Sequence, residues 1–460
     1  MGSSHSKPRR FVPAVERMPT ELWQSILLSA IESPLLPRTG DDFVDGLMVF
    51  SSGCQSQYHY RKVEIVRTRL RLVCRSWNAF LQDVAAHRSF FSCVKLLRIP
   101  IRGEGTQNIR RVELADNCIL NTCYCLERQP IPRDMKIYGK DATTQTKRVE
   151  YLQLPSLYSQ NHRYEVIMDI LNSATRLRAL AFGPNDSFRQ KFILNHTSLK
   201  HITHLSVGLF GTYSDGPRTQ PFSFPAVRVL FIQIGDYRPR EDILLWRFPS
   251  VTSLYIKRGT HSYGGHLLEG LDLFLAAYGR QITSLYIECK CRRNAVDALF
   301  WDWFPNVHLF GIELTAFEST CTPPPASNGL TSLAVRGIKP YCRVDWPRLE
   351  RCIDPLLKVC REWGIGRLII LTSWDELASV SAMKSKTTTF YYCSTVWAKR
   401  LFHEGIESGL QICDVERVPI TAPEGVRFLQ KLVELSTLPG GELEWLLPKL
   451  PSAVDTTSNI

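Results

Sequence analysis

The best histidine group in the chain is His196, His201 and His204, within Asn195-His-Thr-Ser-Leu-Lys-His-Ile-Thr-His. Imidazoles this close together could ligate a metal, but His204 stands beside Leu205 inside a strand-like unit, and ordinary surface or edge histidines are the competing reading. Fourteen cysteines occur singly or as Cys123-Tyr-Cys125 and Cys289-Lys-Cys291, with no paired C-x-x-C framework. In a reducing compartment they read as small core hydrophobes, with a structural zinc site as the alternative. The chain carries no G-x-S-x-G, no phosphate-binding glycine loop, no H-E-x-x-H and no run of paired carboxylates. No catalytic residue, metal or cofactor is therefore expected.

Recognition chemistry is better supplied. Phe231, Tyr255 and Tyr286 each lie between two apolar residues of a short strand-like unit, so alternation sends them to the face opposite the buried one. On consecutive units they would form an aromatic column, flanked two residues further on by Gln233, Lys257 and Glu288. Aromatic rings with a few charges suit a protein target. The competing reading has them packed beneath an overlying loop or the C-terminal tail. Basic residues do not concentrate on this face, so nucleic acid is not expected there.

The units that carry the column recur as apolar-x-x-Leu-x-apolar. They include Val149-Leu152-Leu154, Leu177-Leu180-Phe182, Ile202-Leu205-Val207, Val227-Leu230-Ile232, Val251-Leu254-Ile256 and Ile282-Leu285-Ile287, then Val307-Phe310-Ile312, Leu330-Leu333-Val335 and Ile365-Leu368-Ile370. Weaker copies occur at Val94-Leu97-Ile99, Ile109-Val112-Leu114, Phe390-Tyr392 and Leu410-Cys413-Val415. An aromatic-Pro lead-in repeats at Phe224, Phe248, Phe304 and Trp346. The Leu-x-apolar core has the period of a strand, and the intervening segments are too long for hairpins. Some show helical spacing, as in Val296, Leu299, Phe300 and Trp303, or in Ile353, Leu356, Leu357 and Cys360 with Pro355 suited to a first turn. Three apolar side chains per strand cannot offset the ordering of a whole unit, so each unit needs its neighbours. Strand, turn and helix at this period resemble a leucine-rich repeat, although the usual Asn or Cys after the strand is mostly absent.

Upstream, Met18-Pro-Thr-Glu-Leu-Trp-Gln-Ser-Ile-Leu27 and Arg71-Leu-Val-Cys-Arg-Ser-Trp77 read as helical stretches. Pro19 and Glu21 suit a first turn, and Leu22, Ile26 and Ala30 make one stripe with Trp23 and Leu27 beside it. Between them, residues 33–60 carry Pro34, Pro37, Gly40, Gly46 and Gly53 and read as an inserted loop. From Arg61 the spacing turns helical through Val63, Val66 and Leu70, then through Trp77, Phe80 and Leu81.

The paired motifs resemble the F-box, the three-helix module by which substrate receptors join Skp-cullin-F-box ubiquitin ligases, and the resemblance is to the fungal type. It covers about Val12 to Phe91, with Met18 where Leu is usual and the insertion lengthening the joint between helices. The fold class implied is α/β: an N-terminal three-helix F-box, then an irregular leucine-rich-repeat-like solenoid of parallel strands. Domains follow as 1–11, a basic segment; 12–91, the F-box with its inserted loop; 92–417, the array; and 418–460, a C-terminal cap and tail. The resemblance implies a non-catalytic receptor whose partners are the Skp adaptor, the cullin scaffold and a target protein. It places Pro19, Leu22, Ile26, Leu27, Leu72, Val73, Cys74 and Trp77 at or beside the adaptor interface, with Leu22, Ile26 and Trp77 open to a core role instead.

The first ten residues fit a lipidation rule, with Gly2, Ser6 and then Lys7, Arg9 and Arg10 as the second membrane signal. They resemble the myristoylated start of Src-family kinases; Met1 to His5 also look like the start of an expression tag. The net charge of +12 favours an acidic partner without choosing among lipid, nucleic acid and protein. No secretory signal or membrane span is visible, so a cytoplasmic or nuclear protein is expected, with membrane association through the N-terminus if Gly2 is modified. A membrane-tethered repeat scaffold that binds a partner without ubiquitin transfer is the alternative function.

Overall fold

The computed structural model describes residues 18–31, 42–50, 63, 65–87, 90–92, 111–113, 149–154, 168, 171–181, 196–209, 222–234, 246–258, 271–288, 296, 298–318, 321–337, 346–375, 377 and 400–435. The basic segment 1–11 with Gly2, the weaker repeat copies centred on Leu97 and Phe390, and the polar tail lie outside them.

The repeat period resolves into one parallel sheet of twelve strands in strict sequence order. These are β1 (Phe90–Ser92), β2 (Arg111–Glu113), β3 (Tyr151–Gln153), β4 (Ala179–Ala181), β5 (His204–Leu209), β6 (Val229–Ile234), β7 (Ser253–Arg258), β8 (Ser284–Glu288), β9 (Leu309–Glu313), β10 (Ser332–Arg336), β11 (Arg367–Ile370) and β12 (Gln411–Cys413). Parallel neighbours in sequence order, each reached by a crossover, make a leucine-rich-repeat-like solenoid rather than a doubly wound sheet.

Register follows the leucine of each unit. Leu152, Leu180, Leu205, Leu230, Leu254, Leu285, Phe310, Leu333, Leu368 and Ile412 form one continuous row across the sheet. All of them are buried in the main core. The expected copy at Leu410-Cys413-Val415 is thus corrected by one residue: Ile412, not Cys413, continues the leucine row. A one-residue slip exchanges the faces, so Cys413 points with Ile369 to the other side of the sheet.

The aromatic-Pro lead-ins build matching turns. Val227 N–H donates to Phe224 O, Val251 N–H to Phe248 O and Val307 N–H to Phe304 O, each three residues on. Phe224 and Phe248 stack with ring centroids 5.6 Å apart. Trp346 departs from this pattern, because it begins a helix instead.

Helices α4 (Asp272–Tyr278), α5 (Ala298–Trp303) and α6 (Trp346–Glu362) lie in crossovers and bury Phe274, Leu275, Phe300, Trp301, Ile353, Leu356 and Leu357 in the main core. Pro355 is inside α6 rather than in its first turn. An interior proline costs a helix about 3 kcal/mol, which the buried face of α6 offsets. At the β12 end, α7 (Pro423–Leu435) places Phe428 in a stack with Trp374, centroids 5.4 Å apart. The rest of the expected C-terminal cap and tail, residues 436–460, lies outside the described residues.

Among the described residues, α1 (Thr20–Ala30), α2 (Asp42–Val49) and α3 (Arg75–His87) precede the sheet. Helical residues 65–71 lead into α3. Leu27, Ile31 and Leu81 are the buried centre of a separate cluster, with Trp23, Val63, Val66, Leu70, Trp77 and Phe80 packed around it. The insertion 33–60, expected to be a loop, contains α2.

Candidate functional site

Two apolar surfaces carry the residues singled out above. The first belongs to the N-terminal helices. The face of α1 that holds Leu27, continued by Ile31 just past its end, turns inward, which leaves Leu22 and Ile26, one turn apart, each about 51% exposed. Leu72 and Val73, in the turn between residues 65–71 and α3, are 82% and 58% exposed. Pro19 is also exposed. Arg71 Nε donates to Asn78 Oδ1 at 2.9 Å and ties that turn to α3.

Leu27 belongs to the core of this module and is buried, so it is not part of the exposed surface. Trp77 is half-buried and stacks on Trp23 at 6.5 Å. Cys74 is half-buried beside Ser76. The Ser76 hydroxyl, 3.4 Å from the sulfur, and the Trp77 N–H pull the thiol below its ordinary pKa.

The second surface is the sheet face opposite the leucine row. Register aligns Gln153, Ala181, Ser206, Phe231, Tyr255, Tyr286, Gly311, Ala334 and Ile369. The aromatic column exists: Phe231 to Tyr255 and Tyr255 to Tyr286 both have centroids 6.0 Å apart. It is not open, because Tyr255 and Tyr286 are fully buried beneath α2.

Phe43 of α2 packs on Tyr255 and Tyr286 at 5.6 and 6.5 Å. The Tyr255 hydroxyl donates to the Phe43 carbonyl. Phe50 reaches Phe231, Tyr151 and His204 at 5.9, 6.3 and 6.5 Å. Two glycines permit this approach. A Cβ on Gly46 would meet Val229 Cγ1 at 2.6 Å and Tyr255 Cε2 at 2.9 Å. A Cβ on Gly311 would meet Tyr286 Cδ2 at 2.5 Å and Phe43 Cζ at 2.9 Å. Of the two readings of the column, packing beneath a cover describes the structure, and the cover is the insertion rather than a loop or the tail.

The polar flank of the column is an ion-pair network. Glu288 accepts from Lys257 Nζ at 3.0 Å and from Arg336 Nη1 at 3.1 Å. The Tyr286 hydroxyl donates to Glu313 Oε1 at 3.4 Å. Burial, then the Glu313 charge, pushes the Tyr286 phenol well above its ordinary pKa. Burial opposes the Arg336 charge, but Tyr286, Glu288 and Glu313 outweigh it and raise that group's pKa. Arg336 escaped sequence reasoning, although it continues the alternation that found Lys257 and Glu288. The spacing Phe43, Leu47 and Phe50 at i, i+4 and i+7 would have revealed α2.

The histidines do not gather. His196 caps a short turn, with Nδ1 2.7 Å from Ser198 Oγ and Nε2 2.9 Å from Asn172 Oδ1, and His201 is exposed. His204 is fully buried under Phe50. Its Nδ1 lies 2.8 Å from Thr203 Oγ1, and its Nε2 has no hydrogen-bond partner among the described residues. Burial, then the Arg228 and Arg178 charges, push its pKa down to about 3. Among the described residues no group of three or more His, Cys, Asp or Glu could hold a metal ion. Among them too, no helix is long and apolar enough to cross a membrane.

No family model matches the chain, and no curated protein matches it. Among solved structures it is similar to the leucine-rich repeat-containing protein LegL7 from Legionella pneumophila. The identity is 13% over 76% of this chain and 96% of that one, with a TM-score of 0.31. At that score the likeness adds nothing to what the strand register already shows.

Proposed function

We propose that this chain is the substrate-recognition subunit of a Skp-cullin-F-box ubiquitin ligase. In this reading residues 12–91 are the F-box, and Pro19, Leu22, Ile26, Leu72 and Val73 dock on the Skp adaptor, with Cys74 and Trp77 beside them. The array over 92–417 holds the target protein, and 418–460 closes its end. The chain supplies no chemistry of its own; its contribution is proximity between the target and a charged conjugating enzyme brought by the cullin.

One observation carries the reading. The motif residues that resemble an F-box leave Leu22, Ile26, Leu72 and Val73 exposed, while Leu27, Ile31 and Leu81 hold the module together behind them. Apolar side chains left exposed on both helical motifs are what a protein interface uses.

The test is co-purification of the full chain with a Skp-family adaptor. Leu22→Asp with Ile26→Asp is expected to reduce capture at least about tenfold, equivalent to roughly 1.4 kcal/mol. Unchanged capture would sink the proposal. Absence of adaptor from the wild-type complex, together with membrane fractionation that depends on Gly2, would favour the tethered scaffold instead.

A further inference from the structure

We propose that the aromatic face is a helix-binding groove, that α2 fills it in cis, and that the target displaces α2 with an amphipathic helix of the same design. That design is two aromatic side chains seven residues apart, with glycine three residues after the first. The inference deepens, and rests on, the receptor reading above.

The occupant already seated there defines the chemistry. Phe43 and Phe50 are the two aromatics, and they span the face from Tyr286 to Tyr151. Gly46 stands where any Cβ would strike Val229 and Tyr255. The groove therefore selects a helix by two rings and by the small residue between them.

Two features make α2 a replaceable occupant. It has eight residues with a glycine inside, well below the roughly 12–15 at which even good helix formers begin to hold without tertiary support. Its docking also leaves His204 Nε2 buried beneath Phe50 and without a partner among the described residues. A helix that offers His204 a hydrogen bond gains an interaction α2 does not make. What α2 has in its favour is its tether, which gives an effective concentration on the order of millimolar. A target in trans is weakened by the fraction of molecules that are closed.

The probe is a fluorescein-labelled peptide of residues 40–53, titrated against the full-length chain by fluorescence anisotropy. Phe43→Ala with Phe50→Ala disables the occupant and leaves the groove walls intact; Gly46→Leu ejects it by a different route. Both variants, checked for folding by circular dichroism, are expected to bind the peptide at least about tenfold more tightly than wild type. Phe231→Lys added to either should remove that gain, and a peptide carrying Gly46→Leu should not bind.

No binding to either folded variant, or binding indifferent to Phe231→Lys, would overturn the groove. A wild-type dimer that the peptide dissociates would assign the site to a second copy and overturn the target assignment. Adaptor capture reports the ligase reading separately: no adaptor on the wild-type chain with peptide binding intact removes that reading alone, and the reverse removes the groove alone.

Discussion

The N-terminal helices and the aromatic face of the sheet both present rows of apolar residues that suit a binding surface, and the fold treats them oppositely. Leu22, Ile26, Leu72 and Val73 stay exposed, whereas Tyr255 and Tyr286 are sealed. The difference lies in what the chain has nearby to cover them. The stripe on α1 is wider than the cluster it serves: Leu27 and Ile31 satisfy that core, so Leu22 and Ile26 are left over. The aromatic face has its own occupant, because α2 comes from within the segment joining the two helical motifs. Periodicity reports which face a side chain takes; it does not report what covers that face.

Removing a ring from the covered surface is the strongest way to break this contrast. Tyr255→Ala is expected to destabilise the chain by about 3–5 kcal/mol, the range for emptying a large aromatic site, read as a lower urea midpoint. Tyr255→Phe keeps the ring and loses only the bond to the Phe43 carbonyl, so it should cost about 1 kcal/mol. A Tyr255→Ala cost below about 1 kcal/mol would mean that α2 leaves the face open in solution.

Much of the solenoid was legible because a strand has an exact period of two. The leucine row and the row through Phe231, Tyr255 and Tyr286 both follow from alternation, and the structure aligns them in register. Legibility failed where tertiary contact overrides local signals. At β12 a Leu-x-x-Cys spacing mimicked the repeat one residue out of place, and only pairing of Leu368 with Ile412 fixes it. In α2, glycine and aspartate disguise a helix that owes its stability to the rings it lands on. Pro355 looked like a helix start, but burial of Ile353 and Leu356 carries α6 through it. At the adaptor motif the residue types were readable, while the separation of buried Leu27 from exposed Ile26 depends on where residues 65–71 and α3 pack.

A second effect separates the two surfaces by pH. His204 lies under α2 with its folded pKa near 3 against an ordinary 6.5, because burial, then Arg228 and Arg178, disfavour the charged form. The unfolded chain takes up the proton first as pH falls. The stability of the covered face is therefore full above about pH 6.5 and is lost toward pH 3, at up to about 1.4 kcal/mol per pH unit. His204→Asn should flatten this part of the profile of urea midpoint against pH. An unchanged slope would show that His204 is not sealed by Phe50.

The exposed surface should respond least. Leu22→Asp with Ile26→Asp removes side chains that are half in water already, and neither belongs to the buried centre of the N-terminal cluster. Substitutions of this kind usually shift stability by no more than about 0.5 kcal/mol. The urea midpoint of the double variant should match wild type, although the same variant is the one expected to lose the adaptor. A large drop would mean that these residues pack against the chain itself and that the surface is covered as the aromatic face is. Equal stability with lost capture would instead separate folding from binding at this surface, which the aromatic face cannot show, because there the residues that bind are also residues that fold.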